Sequence, residues 1–308
     1  MKRLVWLALP LLLSLSAQAE PLRLALNWKA EPQFGGFYAA EVNKLFKEKK
    51  LDVQIQEGGS GTPTIQMLTA GQVEYAVVSA DEIIMSHDRG AKDVVAIYAS
   101  YQTNPQAIMT HAEKNYQTID QVLADKDATL LWQSGLPYAL YLKKRKTFKI
   151  KTAPYMGGIA NFQKDPDLAQ QCFVTSEPLT AQRAGVQVTT FLVAETGYNP
   201  YTTVLVTKAS RIKSHPEEVQ QMVNAVRDGW AAYLKDPSGT NKHMQGVNKA
   251  MEPETFQKSA DAQKPLIQIK NEKLGSMTKA RWEKLTDQLH DLKVIKSKPK
   301  ADDLFQNF

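Results

Sequence analysis

Strand-like and helix-like segments alternate along the first hundred residues with only short connections, and that alternation restricts the fold more than any other feature. "LRLAL" (22–26) reads as a strand, and Phe34, Tyr38, Val42, Leu45 and Phe46 then recur at helical spacing up to a charged "KEKK". "LDVQIQ" (51–56) alternates as a second strand and runs into the glycine-rich "EGGSGTP". Thr62 is placed to cap the next helix, with Pro63 at its first position and Gly71 as its stop. "YAVVSADE" gives a third strand and turn, and "DVVAIYASYQ" a fourth strand. Short links between alternating elements predict a parallel sheet with helices on its faces.

The pattern then restarts. "IDQVLADKDATLLWQSG" offers a helix and a strand, "LPYALYLKKRK" a helix, "CFVTSEPLTAQRAG" a strand, turn and helix, and "VQVTTFLVAETG" another strand. "YTTVLVTKA" (201–209) is a β-branched run suited to a buried strand or a crossing between lobes. Beyond it the chain is helical. Ser214 and Glu217 have capping-box spacing, and Val219, Met222, Val223, Val226, Trp230, Tyr233 and Leu234 form a core stripe. The expectation is two α/β lobes, 20–104 and 105–200, with 201–308 returning to the first lobe.

Residues 1–19 have the form of a secretory signal: Lys2 and Arg3, the apolar "LVWLALPLLLSL", then "AQA" ending at Ala19. That run is shorter than the roughly 20 residues a spanning helix needs, so cleavage after Ala19 and export to the periplasm are expected. Cys172 is the only cysteine, which rules out an intramolecular disulfide, and its neighbours "QQCFVTS" suggest a small buried hydrophobe. The formal charge of +6 is mild and spread out, and "KKRK" (143–146) reads as a solvated helix end. No nucleic-acid partner is expected.

The search for catalytic chemistry is empty. The five histidines, His87, His111, His215, His243 and His290, stand apart without zinc spacing, and His87 with Asp88 reads as a surface pair. There is no GxSxG elbow, P-loop or GxGxxG after a strand. Polar and flat groups do recur where the strands end, the place at which open α/β sheets collect ligands. These are Asn27 and Trp28, Ser60 and Gly61, Ser79, Asp81 and Glu82, Gln102 and Asn104, Trp132 and Ser134, Ser176 and Glu177, and Tyr198 and Tyr201. Gln33, Phe34, Gly35 and Tyr38 at the first helix, with Tyr155, complete the candidate lining, and Gly35–Gly36 would let that helix approach a ligand without a Cβ in the way. Ser60, Ser79, Asp81 and Ser176 serve equally well as helix caps, and Trp132 as core.

The ordered set "LRLALNWKAEPQFGGFYAAE", "LDVQIQEGGSGTPTIQMLTAGQVEYAVVSADE", "CFVTSEPLTAQRAG", "TTVLVTKA" and "DDLFQNF" resembles the NMT1/THI5-like (SsuA/TauA/ThiY-like) substrate-binding proteins of ABC importers. The resemblance implies a type II periplasmic binding protein fold, no cofactor, and a monomer that delivers a small molecule to a permease and its ATPase. It implies ring contacts for Asn27 and Trp28, and a looser match puts Glu195 against a pyrimidine. Two features depart from the enzymatic branch of the family, which makes the thiamine pyrimidine. "GYNPYTTVLVT" lacks its cysteine-rich motif, and Gln33–Phe34 stand where its first-helix histidine is common. The expected ligand is a flat polar heterocycle such as a thiamine-precursor pyrimidine. Sulfonate, taurine or nitrate, an enzyme, and a periplasmic sensor module are the alternatives.

Overall fold

A computed structural model describes residues 20–59, 61–270 and 272–308. The expected signal segment and Ser60 lie outside the described residues. Four strands open the chain: β1 (Leu22–Ala25), β2 (Val53–Gln56), β3 (Tyr75–Val78) and β4 (Val94–Tyr101). Five more build a second sheet: β5 (Gln106–His111), β6 (Thr129–Trp132), β7 (Lys151–Pro154), β8 (Leu168–Phe173) and β9 (Val188–Leu192). β10 (Thr202–Lys208) then returns to the first.

The sheet orders are β2-β1-β3-β10-β4 and β7-β6-β8-β5-β9. β1 runs parallel to β2 and β3, whereas β10 lies antiparallel between β3 and β4. In the second sheet β6 is parallel to β7 and β8, and β5 lies antiparallel between β8 and β9. Both lobes therefore share one plan, four parallel strands with an antiparallel strand in fourth place. The expected all-parallel sheet becomes mixed for a topological reason. A chain that leaves a lobe from the C-terminal end of one strand must re-enter the other sheet at that same edge, and so runs backwards through it.

Strand pleating divides the core. Leu24, Leu26, Tyr75, Val77 and Leu205 pack on one face of the first sheet, and Ala25, Ala76, Val78, Val204 and Val206 on the other. The second of these clusters continues into the other lobe through Ile108, Leu130, Trp132 and Tyr138. Cys172 is buried with Ala107, Met109 and Phe162, as its setting suggested. The outer edge of β4 is covered by bridges from Ala96 to Phe305 and from Ala99 to Gly275, which removes an open sheet edge.

Several local expectations change. Ser214 ends the helix Ala209–Ser214, its Oγ bonds back to Ser210 O at 3.0 Å, and the long helix Pro216–Lys235 starts afresh with His215 as its cap, so no capping box forms. His87 is not a surface residue. Its Nε2 bonds Val94 O at 2.7 Å in a buried site, while Asp88 accepts from the backbone N–H groups of Lys296 and Ser297. Arg145 of the basic cluster pairs with Asp120 at 2.6 Å.

Candidate functional site

β4 runs straight into the first crossing, so the C-terminal edge of the first sheet's parallel strands faces the second lobe. β5 leaves that crossing antiparallel to β6–β9, so their C-terminal edges face back. The two edges that collect ligands therefore oppose each other across one cleft.

In the first lobe, β1 leads into the half-buried Asn27 and into Trp28, which is 36% exposed. Gly58 N donates to Trp28 O at 2.9 Å, folding the glycine-rich loop onto this turn. A Cβ on Gly58 would stand 2.2 Å from Leu26 O, so only glycine fits. Thr62 does not cap the helix Thr64–Thr69; its Oγ1 accepts from Gly59 N at 2.7 Å and closes the loop, in which Gly61 is left-handed at φ +79°. Trp28 Nε1 donates to Glu31 Oε1 at 3.1 Å. Burial pushes the Glu31 carboxyl up to about 7; the tryptophan bond and Lys29 oppose the rise, and the charge of Glu177 adds to it. Glu177 belongs to the other lobe, so these two carboxylates sense each other across the cleft.

In the second lobe, Ser176 precedes the helix Glu177–Arg183. Glu177 Oε2 accepts from Phe173 N at 2.9 Å and Oε1 from the Tyr155 hydroxyl at 3.0 Å. Its carboxyl is raised by burial, and Tyr155 is raised by burial and by that carboxylate. From the second crossing, Tyr198 donates to Asp81 Oδ2 at 3.3 Å. Asp81 and Glu82 begin the helix Ala80–Asp88, where Glu82 Oε2 accepts from Ser79 N at 2.8 Å and Ser79 Oγ lies 3.2 Å from Thr202 Oγ1. Burial raises Asp81; desolvation of its carboxyl and the charge of the adjacent Asp81 bring Glu82 to about 7, against the bond from Ser79 N.

The structure thus brings Asn27, Trp28, Ser79, Asp81, Glu82, Tyr155, Ser176, Glu177 and Tyr198 to the facing edges. Ser134 is exposed just past β6, Glu195 is exposed on the turn Val193–Thr196 after β9, and half-buried Gln33 lies in the turn Pro32–Phe34.

Other candidates have different tasks. Trp132 is core, 1% exposed and stacked on Phe148 at 5.4 Å. Phe34 and Tyr38 are buried, the latter against His243. Gly35 does not clear space for a ligand: a Cβ there would meet the Tyr233 ring at 2.2 Å, and one on Gly36 would meet Trp230 at 2.2 Å. Tyr201 is covered by the Arg281 guanidinium at 3.7 Å and accepts from Thr278 N at 3.0 Å. Gln102 donates to Ala99 O and Ser276 O, and Asn104 joins Pro200 O to Gln106 N, so both amides are engaged in the crossings.

Glu31 is the residue the sequence reading missed. Its only local signal is a carboxylate three residues after a strand-end tryptophan. Among the described residues no three or more metal-ligating side chains cluster. A separate recess of about 670 Å³ lies beside the start of β4, away from the crossings, lined in part by Lys92, Lys213, Lys298 and Lys300.

The sequence matches the pattern of the family described as NMT1/THI5 like over residues 31–129 and 144–240. The chain belongs to the NMT1/THI5-like family. The match begins just after Asn27 and Trp28, so those two residues fall outside it. No curated protein matches the sequence. In structure it is similar to the periplasmic aliphatic sulphonate binding protein SsuA from Escherichia coli, with 12% identity over 94% of this chain and 93% of that one and a TM-score of 0.71. The alkanesulfonate-binding protein SsuA from Xanthomonas axonopodis pv. citri, bound to MOPS, gives 12%, 94%, 100% and 0.68. The periplasmic nitrate-binding protein NrtA from Synechocystis PCC 6803 gives 11%, 93%, 86% and 0.67. At such identities the likeness is one of fold, and this member of the NMT1/THI5-like family has the two-lobed periplasmic binding protein architecture.

Proposed function

We propose that this protein is the solute-binding component of an ABC importer, exported after cleavage at Ala19, which captures one small molecule by closing its lobes and hands it to a permease. The carrying observation is the convergence of the two sheets' C-terminal edges, each bearing an aromatic group bonded to a carboxylate: Trp28–Glu31 on one side and Tyr155–Glu177 on the other. Flat faces beside acceptors suit a nitrogen-rich heterocycle with donor groups, and a thiamine-precursor pyrimidine is the first candidate. The fold neighbours named for sulfonate and nitrate favour a second reading, an anion ligand. A carboxylate on each wall weighs against it, because an anion would add like charge to a dehydrated site. The binding role also makes the protein a carrier that returns its ligand unchanged, not an enzyme.

Native mass spectrometry of protein purified from the periplasm tests this directly. A single retained small molecule, released intact on unfolding and compacting the protein in small-angle scattering when added back, is the expected result. Conversion of that molecule by the protein would overturn the reading.

A further inference from the structure

Resting on the solute-binding reading, we infer that the ligand is a flat cation, selected by Glu31 and Glu177 from opposite lobes while Trp28 and Tyr155 provide the faces against which it stacks. Each carboxylate is already oriented by an aromatic partner, at 3.1 Å for Trp28–Glu31 and 3.0 Å for Tyr155–Glu177. The pairing places negative charge at the rim of a π face from each side of the cleft, an arrangement that attracts a delocalised positive charge through the ring quadrupole and directly through the carboxylate.

Bringing the lobes together moves both carboxylates into a drier space, where like charges repel more strongly and each is harder to keep ionised. Burial is the main cause that raises the Glu31 carboxyl, and the charge of Glu177 adds to it. Of the positive groups, exposed Lys29 acts on Glu31, and less strongly than Glu177 does. Arg183, at the far end of the Glu177 helix, pairs with Glu252 of the first lobe at 3.5 Å, so its charge is drawn to that contact instead. A cation between the lobes offsets the repulsion and so favours the closed form. A neutral ligand of the same shape leaves it in place, and an anion increases it. Charge on the ligand thereby becomes the difference in affinity between open and closed states that drives closure.

The test uses three probes of nearly one shape: 1-methylnicotinamide (cationic), nicotinamide (neutral) and nicotinate (anionic), titrated calorimetrically at about pH 8 into full-length, export-processed protein freed of retained ligand. The expected order is cation tightest by at least about tenfold over nicotinamide, with nicotinate weakest. Glu177→Gln and Glu31→Gln, each nearly isosteric, should cut the cation's advantage over nicotinamide to about threefold or less. A merely structural role would weaken all three probes together. Nicotinamide binding as tightly as the cation, a cation that fails to bind at about 1 mM, or an advantage retained in both variants overturns the inference. If nicotinate or an alkanesulfonate binds tightest and compacts the protein, the cation inference falls and the solute-binding reading stands. If no probe binds and the purified protein carries no small molecule, both fall.

Discussion

At the scale of single residues, Trp28 and Glu31 hold most of the interest, and they differ in how far the sequence exposed them. Trp28 was legible because a large aromatic at a strand end, ahead of a glycine-rich loop, has no obvious core to join. Glu31 was not, because its carboxyl is raised chiefly by burial in the folded chain, with the charge of sequence-distant Glu177 adding to it. The shift sets a pH dependence. Glu31 holds its proton up to about 7 in the folded chain, against an ordinary value of 4.5. The folded state therefore binds that proton more tightly, and the stabilisation, complete below 4.5, is lost as the pH rises through about 7. Ligand-free protein should melt at progressively lower temperature from about pH 5 to about pH 7 and level off above that, and Glu31→Gln should flatten part of that slope, with Glu82 supplying another part in the same direction. Identical slopes in circular-dichroism melts of the two proteins would remove the desolvated-carboxyl account. Trp28→Ala tests the stacking face. Its partly exposed ring contributes little to the fold, so the melting temperature should hardly move while affinity for a retained ligand falls about tenfold.

Secondary elements show why local pattern and local purpose diverge. The longer helices and the buried strands β1, β3, β4 and β10 follow directly from periodicity and β-branched runs, whereas the short helix Ala160–Lys164 does not. β7 was missed because "KTAP" is a largely exposed edge strand that carries lysine and ends in proline, the opposite of strand composition. β5 was missed because a short, almost wholly buried run shows no alternation. Gly35 and Gly36 are helical, and what they supply is absence of volume. The helix Gly35–Val42 lies so close to the helix Pro216–Lys235 that Tyr233 and Trp230 occupy the places of two Cβ atoms, and Gly229 opposite would meet Gly36 O at 2.2 Å. Sequence places no partner opposite a glycine, so this contact was invisible. Gly36→Ala is expected to cost about 1–3 kcal/mol through overpacking. Gly59→Ala, with nothing within 4 Å of a Cβ, should stay within about 0.5 kcal/mol. Urea unfolding of the pair measures the difference, and equal midpoints would show that the helices separate freely.

For the whole molecule, the plan repeated in both sheets makes the two crossings the only covalent links between lobes among the described residues, and hydrogen bonds tie the crossings to each other. Asn104 N donates to Asn199 Oδ1 at 2.8 Å, and Asn104 Nδ2 to Pro200 O at 3.1 Å. Arg281 clamps the same pair of segments, reaching Gln102 O at 2.6 Å and Asn199 O at 2.8 Å from the helix Lys279–Asp291. Gln102 and Asn104 were legible as polar residues at a strand end, yet a strand that leaves its lobe there ends in a hinge as much as in a pocket. Position along the chain does not separate those roles, whereas saturated hydrogen bonds do. Asn104→Ala distinguishes them. It strands Pro200 O and Gln106 N, so a loss of about 1–3 kcal/mol in stability is expected. A hinge residue acts on ligand binding through the balance of open and closed forms, so affinity should shift by a similar factor for every ligand that compacts the protein. Small-angle scattering of the unliganded variant should show a changed radius of gyration. A direct ligand contact would behave otherwise: affinity would fall selectively for ligands able to bond an amide, and the unliganded protein would keep its dimensions. That second outcome would move Asn104 from the hinge into the pocket wall.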